Sequence, residues 1–318
     1  MKTLKSTEKF ELSKGSLIRR QKIGVNIELS LLVLPALVFF IVFHYLPMFG
    51  IVIAFKDYNY AAGILGSEWS GLKNFEFFFT SQDAFRIIRN TVLYNLCFIV
   101  LAAVLGILMA ILLFEVKKKI CIKFYQTSMI IPNFVSWVLV GYITYTLLHP
   151  GNGLLNKMIQ AFGAKPIQWY NETKYWPAII IICNVWKSIG MGSLMYYASL
   201  IGLDVSLFEA ADIDGANKIQ KAWYISVPSL VNMAVIMTIL NVGHMFKGDF
   251  GLFYQIPRDI DSLYPVTDVI DTYVYRGLRT GDIGMTSAVG FVQSVVGFVL
   301  VILVNGIVRK INPESSLF

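Results

Sequence analysis

Charge is scarce in this chain: of 318 residues only 15% are Asp, Glu, Lys or Arg. That is too little to solvate the surface of an ordinary soluble protein of this length. Cysteine is scarcer still. The three present, Cys97, Cys121 and Cys183, lie in or beside apolar runs, are odd in number and form no CxxC pair, so neither a disulfide framework nor a zinc site is expected. Three scattered histidines, His44, His149 and His244, form no metal-ligand cluster. There is no G-x-x-x-x-G-K-[ST] phosphate loop, no G-x-S-x-G elbow, no H-E-x-x-H pair and no GxGxxG following a strand. These absences exclude the familiar enzyme classes. The chain is expected to have no catalytic residues, to bind no metal or cofactor, and not to hydrolyse ATP itself.

Apolar residues are abundant instead, at 56% of the chain with a mean hydropathy of +0.63. Several apolar runs reach roughly twenty residues, the length that crosses a hydrocarbon core. The first run begins near Ile27 and lacks an A-x-A cleavage pattern near its end, so a retained span over Ile27–Leu46 is expected, extended by the apolar stretch Gly50–Phe55. Further spans are expected at Asn90–Phe114, at Tyr125–Leu148 with a kink or interruption at Pro132, at Trp176–Leu203, at Leu230–Phe246 and at Thr286–Val308. The loop DYNYAAGILGSEWSGLKNFEFFF is aromatic enough to lie at the membrane interface or to pack on helix ends. The fold class is therefore an all-α integral membrane protein. It has a basic segment over 1–26, one membrane domain of six transmembrane helices over 27–308, and a tail over 309–318.

Orientation follows from the basic residues. With six spans, both termini and the turns near residues 119 and 215 share one side. That side holds fifteen Lys and Arg against nine Asp and Glu, whereas the other holds eleven of each. The positive excess marks the first side as cytoplasmic. Most of the net charge of +7 thus lies at a membrane surface, which argues against nucleic acid as a partner.

One polar island stands among the apolar runs on that cytoplasmic side. SLFEAADIDGANKIQKAWYISVP, from Ser206 to Pro228, reads as helix, glycine turn, helix. Ser206 with Glu209 fits a capping box, Ala210 and Ala211 are small helix formers, and Gly215 is placed to end the helix with a positive φ. Glu209 could cap its own helix alone, or also pair with an arginine on a docking partner.

Glu209-Ala210-Ala211, Asp214-Gly215, Ile225, Val227 and Pro228 resemble the EAA loop of binding-protein-dependent ABC importer permeases, with Val227 where the usual pattern has Leu. The stretches YLPMFGIVIAFKDYN, GLKNFEFFF, KGDFGLFYQIPRD and VIDTYVYR extend the likeness over nearly the whole chain, to LplB-like permeases of the MalF-type carbohydrate group. The resemblance implies a type I importer (MetI-like) fold, with residues 204–228 as the cytoplasmic coupling loop. It implies as partners a second, homologous permease, two copies of a cytoplasmic ATPase that consumes the ATP, and a lipid-anchored solute-binding protein outside. The implied cargo is an oligosaccharide crossing a bacterial cytoplasmic membrane. A non-sugar cargo (amino acid, polyamine or anion) and a secondary transporter needing no ATPase remain as alternatives.

Polar groups within the spans are candidates for the translocation path. Lys187, in NVWKSIG, is a costly charge at depth that would face a cavity, or else an ion pair or the interface within the bundle. Asn184, Asn241, His244 and Gln293 could meet sugar hydroxyls, and Tyr142 and Tyr145 could stack on pyranose rings. Each could equally serve as an interhelical hydrogen bond or interface anchor. Asp268, Asp271, Arg276 and Arg279 give the segment before the last span a charged character, either as a face for an external binding protein or as a solvated loop.

Overall fold

The computed structural model describes residues 30–76 and 80–311. The expected basic segment over 1–26 and the end of the tail lie outside the described residues. Five helices are long and apolar enough to cross a membrane, and a sixth span results if one bent pair is counted as one.

The first span, Ser30–Phe55, runs on through the apolar stretch suspected of extending it. Its side chains are almost all exposed, Ala54 being the buried exception, so this helix rides on the outside of the bundle. The aromatic loop behind it packs on helix ends as expected. Lys56–Asp57 and Glu68–Trp69 form a short antiparallel ribbon, and Asn74 donates to the carbonyls of Ala54 and Lys56. Phe55 stacks on Trp69 and meets Phe75 and Phe291 of the last span.

The second span, Gln82–Phe114, is capped by Ser81, whose hydroxyl accepts from the Asp83 N–H. It packs along the fourth span, Trp176–Ile201, as the central pair of the bundle. Ala110, Leu113, Tyr196, Tyr197 and Leu200 form the core at the end nearer the Ser206–Pro228 island together with Leu230. Tyr94, Trp176, Ile180 and the outer segment's Leu252, Phe253 and Ile256 form a core at the other end.

The third span departs from expectation in where it breaks. It consists of Lys119–Phe134 and Trp137–Leu148, bent by 94°. Pro132 lies inside the first half, and the chain turns extended three residues later, at Val135 and Ser136. Proline weakens the last turn by removing a donor, but the bend forms where Ser136 can cap the second half by accepting from the Leu139 N–H.

The fifth span also differs. It is helical from Lys218 to Val242, starting well before Leu230. A π-turn over Ala222–Ser226 precedes Pro228, which therefore sits within a continuous helix rather than at the entry to a new one. The sixth span, Ile283–Ile311, runs into the region expected to be tail.

Candidate coupling helix and translocation path

The polar island Ser206–Pro228 folds as helix, glycine turn, helix. Its first helix is Val205–Ile213. The capping residue is Asp204 rather than Ser206: its carboxylate accepts from the Ser206 N–H at 2.9 Å, a bond that holds its pKa below the usual carboxylate range. Both residues are good N-caps, and a two-residue difference in where the extended chain ends decides between them. At the other end Asp214 is the C-cap and Gly215 has φ 77°. The Ala216 N–H reaches the Ala211 carbonyl and the Gly215 N–H reaches that of Asp212, a Schellman turn that a residue with a Cβ forms at a penalty. The next helix opens with a reciprocal Asn217–Gln220 capping box.

This hairpin is fixed to the bundle yet bare on its outer side. Phe208 packs on Phe114, and Lys221–Asp212 and Lys218–Glu115 pair at 2.7 and 3.0 Å. Glu209 and Ala210 are exposed, as are Leu207, Ile213, Ile219 and Trp223. Glu209 makes no hydrogen bond or ion pair among the described residues, so the expected capping role is not what it does here. Ile225 lies half-buried in the π-turn, and Pro228 is exposed one turn further on.

Lys187 answers the break in the third span. Its ammonium donates to the carbonyls of Asn133 and Val135, both at 2.7 Å, and reaches that of Pro132 at 3.5 Å. A helix end leaves carbonyls short of donors: Asn133 and Val135 take theirs from Lys187, whereas Pro132 already accepts from the Val135 N–H, and a cation there also meets the negative end of the helix dipole. The same ammonium sits 5.2 Å from the centre of the Trp137 ring. Trp137 in turn donates from Nε1 to Asp249 at 2.7 Å. Interrupted backbone at membrane depth is tolerated only when its polar groups are satisfied, and Lys187 satisfies them.

The remaining path candidates do not converge on one cavity. Tyr142 and Tyr145 stand on one face of the Trp137–Leu148 helix, beside Phe250–Gln255 of the outer segment. Gly141 permits that approach, since a Cβ there would lie 2.6 Å from the Gln255 carbonyl oxygen. Tyr142 lines a cavity of about 210 Å³ with Val138, Tyr254, Gln255 and Arg258. His244 and Gln293 line a separate cavity of about 360 Å³ with Phe246, Lys247 and Ser294. Gln293 is occupied there, donating to the Phe246 carbonyl and to Asp271. Asn241 is exposed near the end of the fifth span, and Asn184 is half-buried one turn before Lys187. Arg258, Tyr254 and Trp137 were not among the sequence candidates. Tyr142 was legible as an aromatic group within a span, but nothing local points to Arg258.

The outer charged segment turns mostly inward. Asp268 is buried and is held by Arg276 at 2.6 Å, Arg86 at 3.4 Å and the Thr272 hydroxyl at 2.8 Å. Asp271 accepts from the Gly248 N–H and from Gln293, and burial raises its pKa despite those donors. Burial also pushes the Tyr264 hydroxyl up to about 12. Of the four charges read as an outer face, Arg279 alone is exposed. The network clamps the outer segment to the second span.

A multi-span helical protein with a broken span, a lysine closing the break and a fixed polar hairpin with a bare outer side suits a membrane transport subunit. The family is shown by comparison: the description "binding-protein-dependent transport system inner membrane component" fits residues 102–314, and the chain belongs to that family. A polygalacturonan/rhamnogalacturonan transport system permease protein of Bacillus subtilis, YteP, is 36% identical over 288 residues, covering 90% of this chain and 89% of that one. Protein LplB of the same organism is 34% identical with 90% of each chain covered. The crystal structure of a bacterial ABC transporter involved in import of the acidic polysaccharide alginate contains a chain that matches with a TM-score of 0.83 at 29% identity. The match covers 92% of this chain and 98% of that one. The expected fold, six spans of the type I importer permease, stands. The chain is a multi-pass permease subunit, not an enzyme.

Proposed function

We propose that this chain forms one half of the translocation path of an importer that carries an oligosaccharide inward, driven by a separate ATPase docked on Val205–Ile213. The observation that carries this reading is the hairpin: its helix is fixed to the bundle through Phe208, Lys218 and Lys221, while Glu209 and Ala210 stay uncovered. An unpaired carboxylate on a short exposed helix suits an arginine on a docking surface. The chain's lack of a phosphate loop supports a separate ATPase, and the positive-side count supports cytoplasmic termini. A second permease would complete the path, and a binding protein would deliver cargo outside. In support of the latter, an alginate transporter has been crystallised with an alginate pentasaccharide-bound periplasmic protein.

A sugar is favoured over other cargo because the relatives matching along 90% of this chain include one named for polygalacturonan/rhamnogalacturonan transport. The sn-glycerol-3-phosphate permease UgpA of Shigella dysenteriae matches only 58% of it. Transport would couple to ATP through rigid-body movement of the hairpin with the fifth span. The test is ATPase stimulation by loaded binding protein in the assembled complex, with Glu209→Lys and Gly215→Val alongside. Loss of stimulation in both, with the two permeases still copurifying, is expected. Full stimulation in both variants would refute the docking role.

A further inference from the structure

An improbable turn stands at the mouth of the outer cavity. Arg258 and Asp259 are the two non-glycine residues with positive φ among the described residues, at 62° and 53°. That conformation is disfavoured for any residue with a Cβ, and two in succession persist only where their surroundings impose them. The surroundings are visible on one side. The Asp259 carboxylate accepts from Arg276 at 3.3 Å and from the Tyr264 hydroxyl at 3.0 Å, and Arg276 is itself anchored on buried Asp268.

With Asp259 fixed, the turn throws Arg258 to the opposite side. Its guanidinium carbon lies 4.2 Å from the centre of the Tyr145 ring and 5.8 Å from that of Tyr142. The side chain is exposed and makes no hydrogen bond or ion pair among the described residues. Strained backbone thus holds an uncompensated cation over two tyrosines, beside a cavity that also presents Tyr254 and Gln255. The cavity has room for one sugar ring rather than a chain. Val138, Gly141, Tyr142 and Tyr145 share one helix face that runs away from Trp137 and the Lys187-closed break, which puts this cavity on the same face of the broken span.

We infer that this cavity is an outer subsite for an acidic sugar, in which Arg258 takes the carboxylate of a uronate residue and Tyr142 stacks on its pyranose ring. The guanidinium fork matches a planar carboxylate with two parallel bonds. A single cation among aromatic faces suits that single charge better than a phosphate monoester carrying nearly two. Gln255 offers an amide to ring hydroxyls. The inference rests on the oligosaccharide reading above and narrows it to uronate-containing chains.

The test is uptake into proteoliposomes holding the complete importer with its binding protein. Tri-galacturonate and tri-mannuronate are compared with their methyl esters, which keep the ring and lose the charge, and with neutral trisaccharides. Wild type is expected to import at least one uronate. Arg258→Gln should lower the ratio of acid to ester uptake at least tenfold, and Arg258→Lys should fall between. An unchanged ratio in Arg258→Gln would overturn the subsite. So would equal loss of both sugars, or loss of the copurifying second permease, either of which would make Arg258 a structural or interface residue. Wild-type uptake of neutral sugars but of neither uronate overturns the acidic assignment and leaves oligosaccharide import standing. Uptake of no sugar by an assembled, ATP-hydrolysing complex overturns both.

Discussion

Replacing Lys187 by methionine separates two roles that a charge inside a span can have. The substitution removes two charge-assisted hydrogen bonds of 2.7 Å from the end of the third span's first half. Such bonds contribute about 1.5–3 kcal/mol each, so roughly 3–6 kcal/mol is lost. The same change also relieves the burial of a charge at mid-helix, worth about 2.5–3.5 kcal/mol on insertion scales. At mid-range the lost bonds win by about 1.5 kcal/mol, enough to shift the equilibrium between bent and unbent third span by about tenfold. Lys187→Met is therefore expected to insert normally but to lower the midpoint of heat inactivation by about 5 °C, followed as loss of the monodisperse complex in detergent. Uptake should fall with it. Lys187→Arg, which keeps the donors and the charge, should recover most of both. A methionine variant as heat-stable as wild type refutes the capping role. If that variant also loses uptake, Lys187 belongs to the cargo path and not to the break.

Two further outcomes follow from the outer segment. Asp268→Asn leaves Arg86 and Arg276 facing a neutral amide; removing one partner of a buried pair costs about 3–5 kcal/mol, less here because both arginines are partly exposed. The variant should expose the segment between residues 247 and 282 to limited proteolysis at temperatures where wild type resists. Asp271 works in the opposite sense. Its folded pKa is raised, so its contribution to stability is fully present below the unfolded value of about 4 and is lost as pH rises through the folded value. Asp271→Asn, whose amide oxygen can still accept from Gly248, should therefore match or exceed wild-type heat stability at pH 7 while flattening the acid side of the pH–stability curve. A clear loss at pH 7 would contradict it.

The spans and the coupling hairpin were legible because their determinants are local. Run length marks lipid-buried helices, and a glycine at a fixed distance from a helix start marks a left-handed turn. What escaped is tertiary. Pro132 announces a weak turn, but the bend falls at Val135–Ser136 because Lys187, more than fifty residues on, is there to receive the freed carbonyls. The fifth span looked short because hydropathy sees only the part in lipid, whereas Lys218–Lys221 extends the same helix into water. Asp268 and Arg276 resembled solvated charges for want of any local sign that Arg86 closes on them. Arg258 is the clearest case: its backbone conformation is set by Asp259, Arg276 and Tyr264 together, and no short window of sequence contains that arrangement.

The continuity of the fifth span has a mechanical consequence. The hairpin is not hinged to it: Lys221 pairs with Asp212 of the Val205–Ile213 helix, and the rod that carries Lys221 runs 25 residues from Lys218 to Val242. At 1.5 Å per residue this lever is about 37 Å long, so a tilt of about 5° imposed at its Lys218 end displaces the far end by about 3 Å. The far end adjoins His244, Gln293 and the outer segment. The π-turn at Ala222–Ser226 is the one place along the lever where the helix is not regular, so under the proposed docking role its compliance sets how much of a movement at Lys218 reaches Val242.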